Sequence, residues 1–152
     1  MPGGETKTVK PLVGIVIVSH EQVAFAMLEA ARRIVGMLPG VAIACASAAD
    51  DSAVTAQRVA EACSQVDDGA GVLLMVDIYG STPYHVAMSM LDGTTAGEVI
   101  CGVNLPMLLK LATLDRVHLT PAEIAQELCE VGRRSIRIGS ELTGKIVVKE
   151  TR

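Results

Sequence analysis

The sequence predicts a doubly wound α/β domain: a mostly parallel open sheet of order 2-1-3-4 with an antiparallel strand at one edge and helices on both faces. Three observations carry that expectation. Four aliphatic runs of strand length, at residues 12–18, 41–46, 71–76 and 98–101, alternate with helix-length segments. Half of the 152 residues are hydrophobic, yet Trp is absent, Phe occurs once and Tyr twice, so the core is aliphatic. The strand candidates are unbroken apolar runs, as strands covered on both faces are.

Between the first two runs, Val23, Ala26, Met27, Ala30, Ala31, Ile34 and Val35 recur at steps of three and four. This is an amphipathic helix over residues 22–38, closed near Pro39 and Gly40. Asp50 or Asp51 caps a second helix over 53–66, and Asp67–Gly71 turns the chain back into the third strand. Thr82 followed by Pro83 reads as an N-cap with proline at the first helical position. Asn104 is placed to cap a short helix carrying Leu105, Met107, Leu108 and Leu111. Thr120, Pro121 and Glu123 form a capping-box start for a helix reaching about Arg134. After it, residues 135–140 alternate apolar and polar, the pattern of a half-exposed strand, either an antiparallel edge or an element lent to a partner subunit. Residues 1–10 read as a polar leader, 11–142 as one domain, and 143–152 as a tail or a further short strand at 145–148.

A net charge of −4 with no basic tract argues against nucleic acid. The apolar runs are about half of the roughly 20 residues a membrane span requires, and residues 1–10 lack the apolar segment of a secretory signal. A soluble, cytoplasmic protein is expected. Cys45, Cys63, Cys101 and Cys129 lie far apart without a C-x-x-C pair, so neither metal nor disulfide is signalled.

The first apolar run ends at His20 and the third at Asp77. In a 2-1-3-4 sheet these strands are neighbours, and the gap between their carboxyl ends is the topological switch point where open α/β sheets bind ligands. A carboxylate on one imidazole nitrogen fixes the tautomer and frees the other nitrogen's lone pair. The loop Gly80, Ser81, Thr82 leads into a helix N-terminus, whose unpaired N–H groups suit a phosphate-sized anion. An oriented histidine beside an anion cradle points to phosphoryl transfer through phosphohistidine, with Ser19 the nearest competing nucleophile. The cradle contains no Lys or Arg and no Walker-type loop, so the expected donor is another protein rather than ATP.

Three segments, GIVIVSH ending at His20, LLMVDIYGSTP over 73–83 and VICGVNLPMLL over 99–109, make the chain resemble the enzyme IIA components of the mannose class of the bacterial phosphoenolpyruvate-dependent sugar phosphotransferase system. The resemblance spans about residues 11–142. It implies a phosphoryl carrier, usually a strand-exchanging homodimer, in which His20 accepts phosphate from the phosphocarrier HPr and passes it to a IIB partner. It further implies that Asp77 orients His20 and that Thr82 bonds the phosphoryl group, with Gly80 and Ser81 completing the cradle. No metal or organic cofactor is implied, and the membrane is met only through partners. A regulatory phosphorylatable module, and the phosphocarrier subunit of a dihydroxyacetone kinase, are the alternative readings. Two positions depart from the family pattern. Glu21 stands where glycine is common, and points either inward against the phosphate or toward the first helix as a cap. Ser81 replaces a glycine, at a steric cost if the loop needs a positive φ there.

His85 and His118 read as surface residues and Met75, Met88, Met90 and Met107 as packing. Asn104 and Pro106 fit a helix start or a loop beside the crevice, and Arg133, Arg134 and Arg137 a solvated face.

Overall fold

Covering both faces of β1 (Gly14–His20) and β3 (Val72–Val76) is what organises the protein. The structure, a computed structural model, describes residues 9–92 and 96–144. Among these, four parallel strands are ordered β2-β1-β3-β4, with β2 at Val41–Ala46 and β4 at Gly97–Cys101. The predicted 2-1-3-4 sheet is present. Alternate side chains leave a strand on opposite faces. Ile15, Ile17, Leu73 and Met75 therefore pack with α1 (Val23–Val35), α4 (Leu105–Lys110) and α5 (Pro121–Arg134). Val16, Val18, Leu74 and Val76 pack on the other face with α2 (Ser52–Val66) and α3 (Thr82–Ser89). Each such fully buried aliphatic side chain contributes roughly 1.5–3 kcal/mol.

The helix starts follow local chemistry. Asp51 accepts the Val54 N–H, and Thr120 with Glu123 forms the expected capping box. α1 ends at Gly36, earlier than the periodicity suggests, because Gly36 turns to φ 87°. Gly71 holds φ 93° where a Cβ would lie 2.4 Å from Ala96 O, so the turn into β3 requires glycine.

The expected antiparallel edge strand does not form. Ser135 and Ile136 N–H groups still donate to Val131 O and Arg133 O, so the end of α5 unwinds gradually. The chain then enters the short α6 (Gly139–Leu142), and among the described residues no strand pairs with this segment. Alternation at 135–140 encodes exposure on one side, but a strand also needs a pairing edge, and the single chain brings none there. Ile136 and Ile138 are left 79% and 62% exposed. The possible strand at 145–148 and residues 1–8 of the leader lie outside the described residues.

At the amino ends of the strands sits a residue the sequence pattern concealed. The buried Arg116 guanidinium donates to the carbonyls of Val13, Pro39 and Gly40 at 2.7–3.0 Å. Burial pushes its pKa down from the ordinary arginine value.

Candidate functional site

At the opposite end of the sheet, β1 runs two residues beyond the Val18–Val76 pair and the chain after β3 supplies Asp77. That offset brings His20 and Asp77 together. Asp77 Oδ2 accepts the His20 backbone N–H at 2.8 Å and lies 2.9 Å from His20 Nδ1. Its other oxygen, Oδ1, accepts the Ile78 N–H at 2.9 Å. The aspartate side chain is 12% exposed and the histidine 43%. The carboxylate is thus fixed from the protein side while the imidazole reaches solvent. With the proton on Nδ1 facing the carboxylate, the Nε2 lone pair points away from Asp77.

Ser19 is excluded as the nucleophile by its own bonds. It is fully buried, its Oγ accepts the Ala24 N–H at 2.7 Å, and it donates to His20 O. Its role is to start α1, which the residue before the helix, Gln22, does not cap.

The loop after Asp77 corrects two sequence expectations. Ser81, not Thr82, is the N-cap of α3: its Oγ accepts the Tyr84 N–H at 3.3 Å and donates to Ile78 O at 2.7 Å. Ser81 is also extended, with φ −77°, so replacing a glycine there carries no steric cost. The left-handed position is Gly80, at φ 77°. Relieved of capping, the exposed Thr82 hydroxyl makes no intramolecular hydrogen bond among the described residues. Thr82 and Pro83 line, together with His20, a cleft of about 240 Å³ whose other lining residues are Glu21, Thr55 and the loop 46–50. That loop is the part of the site that sequence periodicity does not reach.

Glu21 does not cap α1: its Oε1 accepts the Ala48 N–H at 2.9 Å, and the residue lines the cleft with His20. His85 lies on a separate groove between α2 and α3, and His118 pairs with Asp115 at 2.8 Å. Asn104 caps α4 through Met107 N–H and donates to Gly132 O, and Gly102 turns at φ 80° after β4. The segment 102–107 therefore has a folding explanation. No cluster of potential metal ligands is found among the described residues, and no helix among them is long and apolar enough to cross a membrane. All four cysteines are free; burial pushes the Cys63 and Cys101 thiols up, with smaller contributions from the Asp67 carboxylate beside Cys63 and the Cys129 thiol beside Cys101.

Similarity to known proteins agrees with this architecture. Residues 14–128 match the family model described as the PTS system fructose IIA component. A fructose-specific EIIA component of the phosphotransferase system from Bacillus subtilis is 31% identical over 90 residues, which span 59% of this chain and 61% of that protein. The mannose-specific EIIAB component of Escherichia coli is 25% identical over 82% of this chain but only 39% of its own length. Among solved structures, the mannose/sorbose-specific IIA subunit from Enterococcus faecalis superposes with a TM-score of 0.75 at 25% identity, covering 95% of this chain and all of that one. The chain belongs to the mannose-class IIA family of phosphotransferase-system components.

Proposed function

We propose that this protein carries a phosphoryl group on His20 Nε2, taken from phospho-HPr and passed to a IIB partner in the cytoplasm. The observation that carries the reading is the Asp77 Oδ2 to His20 Nδ1 contact of 2.9 Å, which leaves Nε2 as the free nitrogen of an imidazole that lines the cleft. In the transfer, the Nε2 lone pair attacks phosphorus as the P–N bond to the donor's imidazole breaks, and that imidazole keeps the bonding electrons. Positive charge develops on the His20 ring, which keeps its Nδ1 proton, and the Asp77 carboxylate stabilises it. The N–H groups of Gly80, Ser81 and Thr82, at the N-terminus of α3, and the free Thr82 hydroxyl are available to the phosphoryl oxygens. No metal or organic cofactor is needed for this exchange.

The cleft lining contains the carboxylates of Glu21 and Asp50 and no Lys or Arg. A protein donor and acceptor supply the missing positive charge by docking. Exposed Ile78 and Tyr79, immediately after Asp77, offer apolar surface for that contact. Incubation with phosphoenolpyruvate, enzyme I and HPr, followed by peptide mass analysis, is expected to place one acid-labile phosphate on His20 and none on the His20→Ala chain. Robust labelling of the variant would overturn the assignment.

A second copy of this chain is the proposed occupant of the sheet's free edge. A groove of about 650 Å³ runs between β4 and α5, lined by the apolar Ile100, Cys101, Ala125 and Cys129 and by the charged Glu98, Glu130, Arg133 and Arg134. The exposed Ile136 and Ile138 follow α5 directly, and residues 135–140 of one copy laid antiparallel on β4 of the other would cover both.

A further inference from the structure

Glu21 is the one non-glycine residue among the described residues with a positive φ, 47°. Glycine adopts this left-handed backbone without steric cost, and glutamate does not. Two bonds hold the conformation. The Glu21 N–H donates to Ala46 O at 2.8 Å, extending the β1–β2 ladder past His20, and its carboxylate Oε1 accepts the Ala48 N–H at 2.9 Å. The second bond ties the strand end that carries His20 to the loop after β2. That loop is braced from behind as well: Asp50 Oδ2 accepts the Ser47 N–H at 2.8 Å and pairs with Arg58, which also donates to Cys45 O at 2.9 Å. Braced on both sides, Ser47, Ala48 and Asp50 form a wall of the same cleft that His20, Thr82 and Pro83 line.

We propose that Glu21 is a positioning residue, a latch that holds the 47–50 loop beside His20 and thereby shields the phosphohistidine from water. The inference rests on the reading of His20 as the phosphoryl carrier. The reaction suppressed is hydrolysis, in which a water oxygen attacks phosphorus as the P–Nε2 bond breaks, giving inorganic phosphate and a free imidazole that takes up a proton. Without the Ala48 bond, the loop keeps its Asp50–Arg58 brace but loses its tie to the strand end. Water then gains a side of approach that the wall denies it.

The latch and the bare charge of Glu21 make opposite demands on substitution. Glu21→Gln keeps an oxygen for the Ala48 N–H and removes the charge; Glu21→Ala removes both; Glu21→Asp keeps the charge on a side chain one methylene too short to span the gap. Phosphoramidate, which phosphorylates accessible imidazoles without a protein donor, is used to load wild type and the three variants. Loss of phosphate from the His20 peptide is followed by mass analysis at neutral pH, together with hydrogen exchange at the Ala48 amide. Glu21→Gln is expected to match wild type in both. Glu21→Ala and Glu21→Asp are expected to shorten the phosphohistidine half-life several-fold and to lose protection at Ala48. A wild-type half-life in Glu21→Ala overturns the proposal, as does a Glu21→Gln half-life as short as that of Glu21→Ala, or failure of phosphoramidate to label wild-type His20. A chain that loads with phosphoramidate but takes no phosphate from phospho-HPr would instead sink the carrier reading and leave this comparison standing.

Discussion

One oxygen, Asp77 Oδ2, serves His20 twice: it accepts the backbone N–H at 2.8 Å and faces Nδ1 at 2.9 Å. Backbone and ring are thereby referenced to the same point, so the imidazole's plane is set by the strand that carries it. Asp77→Asn cannot separate these two contacts: with the amide oxygen at the Oδ2 position both are kept but NH2 faces the Ile78 N–H, and with the amide reversed NH2 faces both His20 nitrogens. In either orientation the negative charge that offsets the positive charge developing on the ring is gone. The initial rate of phosphate incorporation from phospho-HPr is expected to fall by about 10²–10⁴-fold, with some loss of stability from the donor left without its acceptor. A variant that incorporates phosphate at the wild-type rate would remove Asp77 from the mechanism.

The loop between Asp77 and α3 divides its labour among adjacent residues, and the division predicts distinct phenotypes. Ser81→Ala removes the α3 cap and should cost about 1 kcal/mol in denaturant unfolding. Gly80→Ala forces a Cβ into φ 77° and should cost a similar ~1 kcal/mol. Thr82→Val, with no intramolecular bond to its hydroxyl among the described residues, should leave stability within about 0.5 kcal/mol of wild type and slow phosphate incorporation instead. Parallel unfolding and labelling curves separate Thr82→Val from the other two.

Why the pocket's centre was legible and its wall was not follows from what sequence patterns record. His20 and Asp77 end uninterrupted apolar runs, and a buried parallel strand has to finish where such a run stops. Right-handed crossovers then make those two ends neighbours. The wall of the cleft depends instead on Glu21 adopting a positive φ and reaching Ala48, a contact 27 positions away in the chain. No periodicity encodes that. The cap was displaced by one residue because Ser81, Thr82 and Pro83 contain two competent oxygens in a row, and only the turn geometry selects between them. The failed strand at 135–140 has the same origin: alternation predicts a face, but pairing is a property of whatever edge lies next to it.

That unpartnered segment makes the oligomeric state testable. If a second copy covers β4, Ile136→Asp together with Ile138→Asp removes the two apolar side chains offered to the groove, whose charged residues Glu98, Glu130, Arg133 and Arg134 balance one another. Light scattering coupled to size exclusion is expected to give a dimer for the natural sequence and a monomer for the double variant. Because both isoleucines are exposed in the single chain, the monomer should remain folded by circular dichroism. A natural sequence that elutes as a monomer at every concentration would refute the exchange.

Arg116 provides the last prediction, at the end of the sheet away from the chemistry. Its guanidinium spreads over three carbonyls, those of Val13, Pro39 and Gly40, which lie just before β1 and around the start of β2. Removing it leaves Val13 O and Pro39 O without their guanidinium donors in a buried setting, while Gly40 O keeps the Ile15 N–H, a loss of about 2–5 kcal/mol and a melting temperature lower by roughly 10 °C. Arg116→Lys should recover only part of this, because a single ammonium cannot match the planar fan of the guanidinium. His20 sits at the far end of β1, so phosphate incorporation per folded molecule should stay at the wild-type rate in both variants. A large fall in that rate without a fall in melting temperature would show that Arg116 acts on the site and not on the base of the sheet.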